Sequence, residues 1–404
     1  MARILILSSG SPCRNPRPLK EATALGAAGH DVALFTISES PALDELESAL
    51  VRGRPFRHHA VGRNPSRAAR LFRRLRRRAA TQLTEAGWPS LHALGSAGPL
   101  RRAAFAHPAD LTIVHNEIPH WIGRDLLAAG RRVAADFEDW HTEDLLPAHR
   151  RGRPLAPMRA IEHTLLHRAA YVTTTSHALS EGLARRYAAP PPTVLTNAFP
   201  LQPDPHLGPV GTPPAFFWFS QTIGPGRGLE EFCAAWSLTT HPSRLVLLGH
   251  PSPGFLPELL GHLPADFAGR VEILPLVPAG DLPGVIARHD IGLALEQTWI
   301  VNRDLTITNK ILQYLNAGLA VVATATSGQR EVLHQAPGAG ILIEDLAPAS
   351  CARALDALLA EPARIAAAGR AARLAAETTY CWERETPRLL ALVEAALASP
   401  PPRP

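Results

Sequence analysis

RILILSSGSPCRNPRPLKEATALGAAGHDVALFTI, residues 3–37, decides the fold class. Its opening apolar run stops at Ser8-Ser9-Gly10. That is too short for a membrane span or the core of a signal peptide, and it reads as a buried strand. Leu19, Ala22, Leu25 and Ala28 then recur at helical spacing, and DVALFTI follows as a second apolar run. Strand, helix, strand is the unit of a parallel sheet covered by helices on both faces.

The alternation continues outward. Strand-like runs stand at 110–116 (DLTIVHN), 131–138 (RRVAADFE), 171–176 (YVTTTS) and 193–197 (TVLTN), with helical stretches between them. It breaks at FPLQPDPHLGPVGTPP, Phe199 to Pro214, where six prolines and two glycines in sixteen residues suit an extended linker. It then restarts through FFWFS, GLEEFCAAWSL, RLVLLGH, VEILPLV, LPGVIARHD, IGLALE and GILIED. At 404 residues the chain exceeds what one core usually supports. The expectation is two α/β domains of similar size, with ligands held at the carboxyl ends of their strands. One large α/β domain with a proline-rich loop is the alternative.

With 46% hydrophobic and 19% charged residues the chain is globular in composition, not disordered. A net charge of +5 and a pI near 9.4 favour anionic partners, whether phosphates, nucleic acid or an acidic membrane face. Cys13, Cys233, Cys351 and Cys381 lie far apart, with no C-x-x-C pair and no Cys/His ligand spacing. Neither a disulfide framework nor a zinc site is indicated, and reduced cytoplasmic thiols are expected.

The chemistry concentrates in the second half. In FWFSQTIGPGRGLEEF, residues 217–232, the reading is a strand ending at Ser220, a loop with Gly224, Gly226 and Gly228, and a helix opening near Leu229. Glycines let the backbone approach a ligand, a helix start attracts an anion, and Arg227 adds a fixed cation suited to phosphate oxygens. The glycine spacing is not the dinucleotide fingerprint, and a plain tight turn also explains it. In TITNKILQYLNAGLAVVAT, residues 306–324, stands Lys310, one of only two lysines (with Lys20) among 41 Lys plus Arg. Thr306, Thr308 and Asn309 can cap a helix from about Lys310 to Ala317, ended by Gly318. Lys310 on its first turn opposes the macrodipole unless an anion sits there too. A buried phosphate group resolves the conflict; a lysine snorkelling to solvent is the other reading.

In order and spacing, RILILSSGSP, LGAAGHDVALFT, LTIVHNE, VAADFEDWHTEDLLP, YVTTTSHAL, VLTNAFP, FSQTIGPGRGLEEF, LVLLGH and NKILQYLNAGLAVVATATSGQREVL resemble a retaining, nucleotide-sugar-dependent glycosyltransferase of the GT-B fold. The likeness is to the family-four, glycosyl transferases group 1 type. It implies two Rossmann-like domains, residues 1–200 on the acceptor side and 201–380 binding the nucleotide sugar, with parallel sheets facing each other across a cleft. Residues 381–404 become the last helix crossing back to the first domain, with a proline-rich tail. It implies an enzyme of the EC 2.4 class taking a UDP-, GDP- or TDP-sugar as co-substrate, with no further cofactor. With no Asp-x-Asp in the chain, it implies no metal.

By position, Arg227 matches one diphosphate cation, beside Gly226, while Gln221 stands where the family commonly has an Arg. Lys310, with Asn309 and Thr308, matches a recurrent Asn-Lys variant and becomes the second cation. Gln313 stands at the ribose-binding Glu, and Leu305 at its partner Glu. In the loop Gly10 to Arg17, Gly10 and Ser11 lie where such enzymes close on phosphates or admit the acceptor. Glu138 falls at a His position over the donor sugar, with Asp139 and His141 beside it; helix capping or a solvated charge run is the alternative. His115, Asn116 and Glu117 end the preceding strand on the same rim.

The acceptor has no signature: lipid-linked, saccharide and small natural-product acceptors all fit. SRAARLFRRLRRRAATQL, residues 66–83, places seven arginines among Leu71, Phe72 and Leu75. A basic amphipathic helix can rest on an anionic membrane, which makes the stretch 67–78 a candidate peripheral contact on the inner face; a solvated helix is the plainer reading. Nucleic-acid binding fits the charge but lacks aromatic interleaving. A phosphorylase needs a pyridoxal lysine after Lys310, and none follows. A nucleotide-sugar epimerase on the same plan remains, since fold does not fix reaction.

Overall fold

The computed structural model describes residues 1–62, 66–145 and 150–400. Leu146 and Pro147, at the end of the acid-rich segment, and the proline-rich end 401–404 lie outside the described residues. Contacts divide the chain into unit 1, Met1–Leu195 with Thr386–Pro404, and unit 2, Thr196–Glu385.

Unit 1 is built on β1 (Arg3–Ser8), β2 (Asp31–Ile37), β3 (Arg57–Val61), β4 (Leu111–His115), β5 (Val133–Phe137), β6 (Val172–Thr174) and β7 (Thr193–Val194). They lie in the order β3-β2-β1-β4-β5-β6-β7, with every pairing parallel. Ile4, Leu5, Ile6 and Leu7 are all fully buried. Successive strand residues point to opposite faces, so a central strand buried at every position needs helices on both sides. β3 had no apolar signature: RHHAV is a half-buried edge strand.

Unit 2 holds β8 (Ala215–Ile223), β9 (Arg244–Pro251), β10 (Val271–Leu274), β11 (Ile291–Ala294), β12 (Ala320–Thr324) and β13 (Gly340–Ile343). Their order is β10-β9-β8-β11-β12-β13, again parallel. Phe216 and Trp218 enter one hydrophobic cluster and Phe217, between them, enters the other. At Gly292 a Cβ would stand 2.2 Å from the Tyr314 ring. Only glycine there lets the helix Asn309–Ala317 lie against β11.

In each sheet the strand order reverses about the first strand, between β1 and β4 and between β8 and β11. These are topological switch points, where the carboxyl ends of parallel strands leave a crevice. The stretch 199–214 forms no regular helix or strand, but it is fastened to unit 2. Gln202 N donates to Asn316 Oδ1 at 3.1 Å and Gly211 N to Asp290 Oδ1 at 2.9 Å. In the helix Trp382–Ala398, residues from Thr386 onward group with unit 1.

Candidate active site

At the switch point of unit 2, β8 does not end at Ser220 as the sequence suggests. An irregularity between Phe219 and Thr222 lets the strand pair with β9 again, Thr222 opposite His250, and run to Ile223. Gln221 therefore lies on an exposed strand extension rather than in the loop. The glycine loop and the helix Leu229–Trp236 follow as read. Gly228 has φ +77°, and a Cβ on it would stand 2.6 Å from the Leu295 carbonyl oxygen, so the loop abuts the end of β11 and needs glycine. Gly226 N donates to Glu230 Oε1 at 3.2 Å, and its carbonyl accepts from Arg303 Nη1 at 3.0 Å. Arg227 is half-buried beside them.

The helix Asn309–Ala317 opens with Thr308 as N-cap and closes with Gly318 in the left-handed region. No side chain caps its first turn. Thr306, expected as a cap, donates instead to Asn302 O at 2.7 Å. Lys310 does not snorkel: its side chain is 12% exposed, and Nζ donates to Glu296 Oε1 at 2.8 Å. Thr308 Oγ1 donates to the same oxygen at 3.3 Å, and the ammonium lies 5.7 Å from the Trp218 ring centroid. Burial pushes the Glu296 carboxyl up, but Lys310, with Arg303 and Arg227 nearby, outweighs it and holds the group below its ordinary pKa. Lys310 thus pairs directly with Glu296, Arg303 and Arg227 add their charge nearby, and Glu230 is a second carboxylate at the same loop.

Asn309 accepts from Asn197 Nδ2 at 2.9 Å, Gln313 is half-buried on the next turn, and Leu305 ends the short helix Val301–Leu305. Glu296 and Arg303 were missed by the sequence reading. Glu296 had a signal, an acid closing the apolar run IGLALE at a strand's carboxyl end. Arg303 had none.

In unit 1 the loop after β1 is shorter than Gly10 to Arg17. Asn15 caps the helix Pro16–Ala27 by accepting from Arg17 N at 3.1 Å, so Arg17 belongs to the helix. Gly10 N donates to Ser8 Oγ at 3.3 Å, and Ser8 Oγ donates to Asn116 Oδ1 at 3.0 Å. Ser11 is fully buried. Its hydroxyl accepts from Cys13 N at 3.3 Å, and its carbonyl from Arg14 N and Asn15 N at 2.9 Å, so its polar groups build the turn.

Nor is His115 on an open rim: it is fully buried, with Nε2 3.0 Å from Glu21 Oε2. The helix Pro16–Ala27 packs on β1 and β2 and reaches the ends of β4 and β5 through Glu21 and Arg17. Arg17 donates to Asp136 Oδ2 from Nε at 2.9 Å and Nη2 at 2.6 Å, and to Leu195 O from Nη1 at 2.8 Å. Thr173 Oγ1 donates to the same Asp136 oxygen at 2.6 Å. Burial raises the Asp136 carboxyl, yet the Arg17 charge outweighs it and keeps the group below its usual range. Glu21, His115 and Asp136 have ligand atoms within 4.8 Å of one another. The Arg17 guanidinium, 2.6 Å from Asp136 and 3.6 Å from Glu21, pairs with both acids and joins the trio in an ion-pair network. Asn116 has φ +68°, unusual for a residue with a side chain, and Glu117 pairs with Arg153.

The acid run beyond β5 is not a solvated charge patch. Glu138 and Asp139 are half-buried; burial and then Asp139 push the Glu138 carboxyl up to about 7. Burial and then Arg17 push Lys20, the second lysine, down to about 7. Burial lowers His141 to about 4, so its ring is neutral at pH 7. It lies 5.7 Å between centroids from His120, which donates to the Asp136 carbonyl at 2.9 Å. Lys20 and His120 were also missed, though the rarity of lysine pointed as much to Lys20 as to Lys310. The expected residues therefore form two groups. Gly10, Ser11, Glu138, Asp139 and His141 lie at the strand ends of unit 1, and Gln221, Gly226, Arg227, Thr308, Asn309, Lys310 and Gln313 in unit 2.

Residues 214–361, in unit 2, match the family model described as Glycosyl transferases group 1. Among solved structures the chain is similar to sucrose-phosphate synthase from Thermosynechococcus elongatus, with a TM-score of 0.72 at 15% identity over 98% of this chain and 100% of that one. It is similar to Anabaena HepE in complex with UDP-glucose, with a TM-score of 0.69 at 14% identity over 98% and 100%. It is also similar to WaaG, a glycosyltransferase involved in lipopolysaccharide biosynthesis, with a TM-score of 0.63 at 15% identity over 96% and 99%. No curated protein matches the sequence. The fold is GT-B, built of two Rossmann-like units, and unit 2 carries a glycosyltransferase family domain.

Proposed function

We propose that this chain transfers a sugar from a nucleoside diphosphate sugar to an acceptor, with retention of anomeric configuration and without a metal. The observation that carries the proposal is the cradle of Lys310, Arg227 and Arg303 around Glu296, at a switch point inside the segment that matches the family model. Glu296 takes one N–H of the Lys310 ammonium and orients the group, leaving two donors for phosphate oxygens. Arg227 and the uncapped first turn of Asn309–Ala317 add to them. As the bond to the sugar breaks, charge grows on the diphosphate. Fixed cations then bind the transition state more tightly than the ground state, which is what accelerates the reaction and does the work a divalent ion would do.

Gln313 is assigned to the ribose hydroxyls as a neutral hydrogen-bonding group. In unit 1, a carboxyl titrating near neutrality at Glu138 suits accepting a proton from a hydroxyl nucleophile, with Asp139 and neutral His141 binding sugar hydroxyls. Ser11, whose hydroxyl accepts from Cys13 N, and the backbone around Gly10 are that loop's contribution. Same-face attack, and hence retention, rests on the resemblance alone.

The similarity to HepE, solved with UDP-glucose, makes UDP-glucose the first probe, followed by GDP- and TDP-sugars. One of them should raise the melting temperature of the wild type, and Lys310→Ala should abolish that rise. If none stabilises the protein, the donor assignment fails; if the rise survives in Lys310→Ala, the role of Lys310 fails. Turnover should be the same with EDTA as with Mg²⁺, and loss of activity in EDTA would remove the metal-free reading.

A further inference from the structure

We propose that the helix Arg67–Glu85 docks this chain peripherally on an anionic lipid surface. The helix spans 19 residues, starts at Ser66, whose hydroxyl accepts from Ala69 N at 3.1 Å, and buries only Ala80. At 3.6 residues per turn Leu71, Phe72, Leu75, Ala79 and Leu83 share one face. That face points to solvent: Leu71 is 58%, Phe72 64%, Leu75 58% and Leu83 53% exposed. Ala69, Arg73, Arg76, Ala80 and Thr84, on the other side, are the residues turned toward the protein. The amphipathic pattern is thus inverted relative to a helix that covers a core. Trp88, just beyond the helix, is 75% exposed. A contiguous apolar face of this size marks an interaction surface.

The flank identifies the occupant. Arg67, Arg70, Arg74, Arg77 and Arg78 are all exposed, and Glu85 is the only acid of the helix. Arg74, Arg77 and Arg78 line one open trough with Thr81, Gln82 and Glu85, where a headgroup phosphate can meet more than one guanidinium. A second copy of this chain would bring two arginine-rich faces together. Nucleic acid would leave the leucines and Phe72 in water. An anionic bilayer satisfies both faces: headgroups meet the arginines, the acyl boundary takes Leu71, Phe72, Leu75 and Leu83, and Trp88 suits the interface. No helix among the described residues is long and apolar enough to cross a membrane, so the contact is peripheral.

The test is flotation of the full chain with vesicles of phosphatidylcholine alone, and with vesicles of equal parts phosphatidylcholine and phosphatidylglycerol. Wild type should float with the second and not the first, and release as salt rises. Arg74→Gln/Arg77→Gln/Arg78→Gln should lose partitioning on the order of a hundredfold. Leu71→Ser/Phe72→Ser/Leu75→Ser should lose at least as much, with an unchanged circular-dichroism melt, since all three side chains are exposed. Wild type left at the bottom with the anionic vesicles would overturn the proposal. So would flotation of the serine variant like wild type, or a wild-type dimer that the serine variant dissolves without vesicles. The assay uses no nucleotide, so its outcome is separate from that of the donor experiment.

Discussion

The two switch points assemble similar residue types to opposite effect. In unit 1, Arg17, Glu21, His115 and Asp136 are at most 1% exposed; Arg17 donates to Asp136 and Leu195 and His115 pairs with Glu21, while His115 Nδ1 and Asp136 Oδ1 face each other at 3.8 Å without a hydrogen bond. In unit 2, Arg227, Glu296, Arg303 and Lys310 are half-buried, all three cations act to hold the Glu296 carboxyl down, and the adjoining helix start is uncapped. A fully buried ion-pair cluster holds a fold together; half-buried cations beside an uncapped helix start at a crevice can meet an anion. Residue type alone does not separate the two, and the acid-rich run 136–144 contributes its first acid, Asp136 at the end of β5, to the closed one.

The largest effect should come from breaking the closed cluster. Asp136→Ala leaves the Arg17 guanidinium buried without its main partner, a loss of about 3–5 kcal/mol. Amide hydrogen exchange in β1 and β4 should accelerate far more than in β8, and equal protection in mutant and wild type would erase the distinction between the clusters. Next comes Lys310→Ala, for which the expected fall in turnover is roughly 10²–10³-fold. Its melting temperature should drop less than that of Asp136→Ala; the reverse order would make Lys310 structural and Asp136 incidental.

Gly228→Ala should weaken donor binding and cost about 1–3 kcal/mol, because its Cβ would press on the Leu295 carbonyl and move the loop that carries Arg227. Unchanged UDP-glucose stabilisation in that variant would place the loop outside the site. The smallest effect is a pH dependence in the proline-rich strap. A hydrogen bond to Asp290 raises His206, so that stability is full below the ordinary histidine pKa and lost as pH rises through the raised value. Burial raises Asp290, but His206 and the Gly211 and Ala215 amides outweigh it, so its share is lost only as pH falls through a depressed carboxyl pKa. Between about pH 6 and 8, the protection of the Gly211 and Ala215 amides, corrected for the intrinsic rise of exchange with pH, should fall in wild type and not in His206→Gln. An equal response in both would assign the effect elsewhere.

Much of this was legible in the chain. Every apolar run proposed as a strand is one, because a parallel strand covered on both faces must be apolar at nearly every position. β3 escaped because an edge strand is under no such demand. The Gly318 end of the Lys310 helix was readable from turn chemistry, since a left-handed glycine is a local signal, whereas the capping bond expected from Thr306, Thr308 or Asn309 is not made. What stayed hidden were partners distant in sequence: Glu296 for Lys310, Asp136 for Arg17, Glu21 for His115.

The sequence by itself thus determined two Rossmann-like units, the glycine loop after β8 and the helix that presents Lys310, because periodicity and turn chemistry are local. Only the tertiary structure decided which charges are fully buried and which half-buried, and that the leucine face of Arg67–Glu85 looks outward. Burial and pairing are set by residues that meet only when the sheets form. A charged side chain carries no mark of whether its partner will be another residue or a ligand.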